Sequence, residues 1–165
     1  GVPAGSEGLI FLPYINGERA PVWDADAGGI FFGVSSIHTR AHFMRAIMEG
    51  ISFALYEILH SMEETIGGVN SIYAGGGFIR SKQWVMLLAD VLGKKISVTH
   101  AEDSSAAGAA ILGLQALGTI EDWQQVKSFF TVKESFEPDM ANHQTYMRNY
   151  SVYSNLYGKF KEIKS

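Results

Sequence analysis

Ser71-Ile72-Tyr73-Ala74-Gly75-Gly76-Gly77-Phe78-Ile79-Arg80-Ser81 carries the strongest fold signal in the chain. A short β-branched and aromatic run enters three consecutive glycines and reaches a serine suited to cap a helix. The segment behind it carries Trp84, Leu87, Leu88 and Val91 on one helical face and stops at Gly93. Strand, glycine turn and helix start, in that order, are how α/β folds present backbone N–H groups to a phosphate or nucleotide. Glycine lets a ligand approach the main chain closely and enters positive φ without strain. Taken alone, the triplet is equally compatible with a tight turn that binds nothing.

Lys94-Lys95-Ile96-Ser97-Val98 reads as the next strand. Two strands joined by one helix over so short a distance imply a parallel, right-handed crossover. Ala101-Glu102-Asp103-Ser104-Ser105 follows as loop and helix cap. Its carboxylates suit an acidic first turn that complements the helix dipole, the preferred reading over ribose or metal binding. The next helix, Ala106-Ala107-Gly108-Ala109-Ala110-Ile111-Leu112-Gly113, is closed by Gly118. Small side chains permit close backbone approach, so it is expected to be buried against another element.

Upstream, residues 39–66 form the clearest helix. Met44, Ile47, Met48, Ile51, Leu55, Ile58, Leu59 and Met62 recur at spacings of three and four, with Arg45, Glu49 and Glu63 largely elsewhere. Thr39 is a suitable N-cap and Gly67-Gly68 a C-cap, and the helix extends roughly 40 Å. His38 and His42 stand four apart, a spacing that can bind metal, but no third ligand is evident and a cap-region pair is the better reading. Leu9–Leu12 and Ile30–Val34 are candidate strands around a turn-rich loop holding Arg19, Pro21 and Asp24. Beyond residue 120, Phe129, Phe130, Val132 and Phe136 alternate loosely with polar residues up to Pro138. A last helix runs from Asn142 to Lys164, with Tyr146, Tyr150, Tyr153, Leu156, Tyr157 and Phe160 as a stripe for core or lobe packing.

The chain has 165 residues, 47% apolar and 18% charged, and a net charge of −4, which describes one globular domain. The basic residues are scattered without a stripe, which argues against nucleic acid as a partner. No apolar run approaches the roughly 20 residues that span a bilayer, so no membrane partner is expected. The absence of cysteine removes thiolate chemistry and fits a reducing, cytoplasmic compartment. No serine sits in a nucleophile elbow. Gly1-Val2-Pro3-Ala4-Gly5-Ser6 reads as a loop entered midway, and the expectation is a piece of a larger protein.

Three anchors together carry a family resemblance. Gly29-Ile30-Phe31-Phe32-Gly33-Val34, seven residues, then His42-Phe43-Met44-Arg45-Ala46-Ile47-Met48-Glu49 is similar to the second signature of the FGGY carbohydrate kinases. Gly75-Gly76-Gly77-Phe78-Ile79-Arg80-Ser81-Lys82-Gln83-Trp84, continued by Leu88-Ala89-Asp90-Val91-Leu92-Gly93, resembles that family's adenosine-binding turn and helix. Ser104-Ser105-Ala106-Ala107-Gly108-Ala109-Ala110 resembles its small-residue helix start. Phe11-Leu12-Pro13-Tyr14, Gly17–Trp23 and His38-Thr39-Arg40 look most like bacterial gluconokinases, with xylulokinases the alternative. Gly28 departs from the pattern, since relatives usually carry an arginine there.

The resemblance implies an α/β, actin-like (ribonuclease H-like) ATPase lobe, truncated on its N-terminal side. Residues 1–34 would be loop and strands, 35–118 the nucleotide-binding core, and 119–165 a C-terminal extension and helix. It implies ATP with Mg²⁺ as cofactors, a sugar or sugar acid (gluconate favoured) as substrate, and an N-terminal kinase lobe of the same polypeptide as partner. Gly75, Gly76, Gly77, Phe78 and Ser81 would bind the nucleotide, mainly through backbone groups at Gly76, Gly77 and Phe78. The catalytic Asp and the phosphate-binding hairpins would lie upstream, so this chain would hold no catalytic or metal residue and little activity of its own. A non-catalytic actin-like nucleotide-binding module is the rival reading. The aromatic tail, with any uncovered lobe surface, also points to a possible homodimer.

Overall fold

A computed structural model describes residues 1–99, 104–129 and 131–164 of the chain. The elements, in order, are β1 (Ile10–Leu12), β2 (Ile30–Phe32), α1 (Arg40–Ile66), β3 (Ile72–Ala74), a 3₁₀ turn (Gly77–Arg80), α2 (Lys82–Leu92), β4 (Ile96–Thr99), α3 (Ser104–Ala116), β5 (Val132–Phe136) and α4 (Met140–Lys164). β1 and β2 form an antiparallel pair with Phe11 opposite Phe31. The second sheet has the order β3-β4-β5. β3 and β4 run parallel, with Tyr73 opposite Ser97, as the crossover reading requires. β5 adds antiparallel to β4, so the alternating segment that ends at Pro138 contributes a strand.

Three packed clusters among the described residues hold these layers together, the smallest being Leu9, Phe11 and Ala46 between β1 and α1. Ile10, Leu12, Tyr14, Phe53, Leu87, Val91, Tyr146 and Tyr153 join β1, α1, α2 and α4. Leu59, Ala74, Val85, Leu88, Leu92, Ile96 and Val98 seal α1 and α2 onto the β3–β4 sheet. The tyrosine stripe of the tail is therefore core: Tyr146 and Tyr153 are fully buried, and the Tyr14 and Tyr153 hydroxyls meet at 3.1 Å. Tyr146 and Tyr153 are thereby unavailable to a partner surface.

Helix α1 differs from its sequence reading. Ala46, Glu49, Gly50, Phe53 and Leu59 are buried, whereas Met44, Leu55 and Met62 are exposed. The reason lies in the contacts. β1 crosses α1 so tightly that a Cβ on Gly50 would stand 2.1 Å from the Phe11 carbonyl oxygen. Glu49, 2% exposed, is buried because donors surround it. Its Oε1 accepts from Gly5 N and from Arg45 Nε, and its Oε2 accepts from Ser6 Oγ, all within 2.9 Å.

Those bonds hold a strained strap. Gly5, Ser6, Glu7 and Gly8 have φ of 86, 47, 51 and 87°, a left-handed run that persists only where neighbours over-determine it. Asn149 of α4 donates to Gly5 O, and Arg45 donates to Val2 O. His42 completes the fixture as part of the cap of α1. Thr39 N–H donates to His42 Nδ1 at 3.0 Å, so the proton sits on Nε2, which reaches Glu7 Oε2 at 2.9 Å. Among the described residues no cluster of three metal-ligating side chains occurs.

The small-residue helix also departs from expectation. Among the described side chains of α3, Ile111 is the buried one, while Leu112 is 59% exposed. A Cβ on Gly108 or Gly113 would meet nothing within 4 Å. Small residues allow close approach, but no described element of this chain supplies the approaching surface. The acidic pair Glu102 and Asp103 lies outside the described residues. Among the described residues no helix is long and apolar enough to cross a membrane.

Candidate functional site

The glycine turn is positioned from both sides. Glu63, near the end of α1, accepts from Val69 N and from Lys94 Nζ, and these donors, the lysine foremost, hold its carboxyl below the usual range. One carboxylate thus fixes the chain entering β3 and the chain entering β4. At the far end of α2, Gly93 closes the helix with φ of 61°. Buried Asp90 accepts from Asp139 N and Asn142 Nδ2, which fastens the start of α4 to α2.

Between these fixtures β3 ends at Ala74 and the chain turns through the glycines. Gly76 takes φ of 94°, a region that favours glycine. Gly77 opens a 3₁₀ turn that the sequence reading lacks, since that reading passes straight from glycines to α-helix. The turn arises because Ser81 is extended and caps α2, its Oγ accepting from Trp84 N at 3.3 Å. Phe78 turns its ring toward the core, edge-on to Trp84 at 5.9 Å, and packs with Ile79 against the α2 cluster. A Cβ at Gly76 or Gly77 would meet no heavy atom within 4 Å. The glycines are therefore open to the outside and not required by the packing around them.

They open onto a cleft of about 370 Å³ at the C-terminal ends of β3 and β4. Gly76, Gly77, Ile79, Arg80 and Lys82 form one wall, with Val98, Thr99, Lys133, Glu134 and Phe136 facing them. Of the five residues singled out in the sequence, Gly76 and Gly77 line this cleft. Gly75 leads into it, and Phe78 and Ser81 build the wall from behind. The sequence reading does not identify the wall from β4 and β5, because strand pairing brings it there. Its one local trace was the apolar alternation at Val132 and Phe136. Lys82 pairs with Glu134 at 2.6 Å across the cleft.

A second cleft, near the other end of α4, lies between Asp24–Gly28 and Tyr157–Lys161. Asp24 accepts a short hydrogen bond from the Tyr157 hydroxyl and pairs with Lys161 at 3.0 Å. The Tyr157 bond, then Asp26 N–H and Lys161, pull its carboxyl down to about 2. This latch anchors the turn-rich loop to α4, and Gly28 lines the same cleft. Asp24 is thereby a structural anchor, and Arg19 donates its N–H to its neighbour Glu18.

Comparison with known proteins gives the fold a family. The model of the FGGY family of carbohydrate kinases, C-terminal domain, matches residues 2–117. A xylulose kinase of Staphylococcus epidermidis is 41% identical over 162 residues, covering 96% of this chain and 32% of the relative. A gluconokinase of Bacillus licheniformis is 36% identical over 156 residues, covering 94% of this chain and 30% of the relative. The crystal structure of gluconate kinase from Lactobacillus acidophilus superposes with a TM-score of 0.86 at 34% identity, covering 96% of this chain and 34% of that one. This chain spans about a third of the length of these relatives. The mixed α/β arrangement is that of the actin-like ATPase lobe, and the chain belongs to the FGGY family of carbohydrate kinases as a C-terminal domain.

Proposed function

We propose that this chain is the nucleotide-binding lobe of an enzyme that transfers the γ-phosphoryl group of ATP to a hydroxyl of a sugar or sugar acid. The observation that carries the proposal is the cleft at the C-terminal ends of β3 and β4. There Gly76 and Gly77 leave the backbone open and the facing walls bring three cations to one Glu. Phosphoryl transfer depends mainly on positioning and charge neutralisation, which such a cleft can supply on the nucleotide side. The acceptor, the catalytic Asp and the phosphate hairpins belong, in this reading, to an N-terminal lobe of the same polypeptide. Mg²⁺ would arrive on the phosphates of ATP and be held chiefly from that lobe, since the described residues offer no cluster of metal ligands. Cytoplasm is the proposed compartment. A homodimer would bury apolar side chains left exposed on α1 and α3, such as Met44, Leu55, Met62 and Leu112.

Gluconate is the favoured substrate, on the spelling of Phe11–Tyr14, Gly17–Trp23 and His38–Arg40. Xylulose is the second reading, favoured by the higher identity to the staphylococcal xylulose kinase. A chimera tests the assignment. This chain replaces the corresponding C-terminal third of Bacillus licheniformis gluconokinase, and ATP-dependent phosphorylation of gluconate is measured. Turnover by the chimera and background turnover by this chain alone are expected. A folded but inactive chimera contradicts the proposal.

A further inference from the structure

We infer that Arg80 and Lys133 are the residues that read the phosphate groups of a nucleotide in the β3–β4 cleft; this rests on the nucleotide-binding reading of that cleft. Ser97 pairs with Ser135 and Val98 with Glu134, but Thr99 pairs with Val132. Lys133 is therefore the extra residue of a β-bulge. In an unbroken strand it would alternate to the face of Ser135, away from Glu134. The bulge instead brings Lys133 and Glu134 to line the same cleft. Bulges re-aim side chains in this way, and they concentrate beside active sites.

Charge selects which cations are available. Lys82 is engaged by Glu134 at 2.6 Å. Arg80 and Lys133 make no ion pair with a described residue, although both line the cleft. Two cations on facing walls with no ion-pair partner among the described residues repel one another, and an anion would relieve that repulsion. Apolar Ile79, Val98 and Phe136 line the same space and offer contact to a flat base. The ligand class that satisfies both halves is a nucleoside di- or triphosphate. Lys82 is held in reserve, because losing Glu134 would free it.

The test is titration of this 165-residue chain with ADP, tripolyphosphate and adenosine by calorimetry at low salt. Arg80→Gln and Lys133→Gln are each expected to weaken ADP and tripolyphosphate about fivefold or more and to leave adenosine unchanged. Glu134→Gln is expected to tighten tripolyphosphate. Lys95→Gln, whose lysine pairs with Glu137 outside the cleft, is the charge control. Wild-type ADP binding that neither glutamine variant changes overturns the inference and leaves the nucleotide reading standing. Equal losses for adenosine and ADP also overturn it, because they mark a structural defect. Tripolyphosphate binding that depends on Arg80 and Lys133, without ADP binding, supports the anion-reading role and overturns the nucleotide reading. No binding of any of the three overturns both.

Discussion

Arg45 and Glu49 lie one helical turn apart on α1 and meet at 2.8 Å, with Glu49 almost wholly inside the protein. Burial pushes the Glu49 carboxyl up, against the pull of Ser6, Arg45 and Gly5 N–H. Burial would also lower the Arg45 guanidinium, but Tyr146 and Glu49 outweigh it and hold it up. The guanidinium meanwhile donates to Val2 O and to the Tyr146 hydroxyl. One side-chain pair thus connects the left-handed strap, α1 and α4.

Removing one member of that pair leaves the other buried without its partner. Glu49→Ala is expected to cost about 3 kcal/mol in urea unfolding. It should also expose residues 2–8 to proteolysis ahead of the core. A loss below about 1 kcal/mol would show that the strap holds itself.

Two glycines separate packing from binding. Gly50→Ala places a methyl 2.1 Å from a backbone oxygen of β1, which has no flexible end to yield. It is expected to cost about 3 kcal/mol or more, read by thermal unfolding. Gly77→Ala meets open space and is expected to leave stability within about 0.5 kcal/mol. ADP affinity of the same variant should fall, because the methyl occupies the path to the backbone.

The tyrosines set the alkaline limit. Burial is the largest cause for each, raising Tyr14 and Tyr150 to about 12 and pushing Tyr146 and Tyr153 up further. A group raised in the folded state contributes stability that is complete below its unfolded value, near 10, and lost as pH climbs toward the folded value. Stability should therefore be level through neutrality and fall above about pH 10. Tyrosinate absorbance and loss of helix should rise together there. Ionisation of all seven tyrosines before any loss of helix would contradict this.

At the acid end the sign reverses for Asp24. Its carboxyl is held near 2 by Tyr157, Asp26 N–H and Lys161, so its contribution is present above its unfolded value and fades as pH drops toward 2. Asp24→Asn should flatten the stability–pH curve between about 4 and 2 relative to the wild type. An unchanged slope would mean that the latch to α4 carries no weight.

The residues that punctuate the backbone made much of this fold legible in advance. Thr39, Gly67, Ser81 and Gly93 all act as caps, and β3, α2 and β4 follow as read. What local pattern could not carry was partnership. Glu49 reads as a solvated charge until Gly5, Ser6 and Arg45 are seen around it. The apolar stripe of α1 implies burial, yet Gly50 decides which face β1 can reach. The small residues of α3 announce a close neighbour that the described chain does not supply. In the cleft, Gly76 and Gly77 are visible as residues, whereas Lys133 arrives only through a shift in strand register.

Asp24 holds α4 at Tyr157, and Asp90 holds the chain at Asp139, 18 residues earlier; the two clefts share no lining residue. Amide NMR during titration of this chain with ADP therefore distinguishes nucleotide binding at one cleft from binding at the other. Shift changes are expected at Gly76, Gly77, Arg80 and Lys133, with Asp24, Gly28 and Lys161 undisturbed. No response at millimolar ADP, or a response confined to the Asp24–Lys161 cleft, would contradict it.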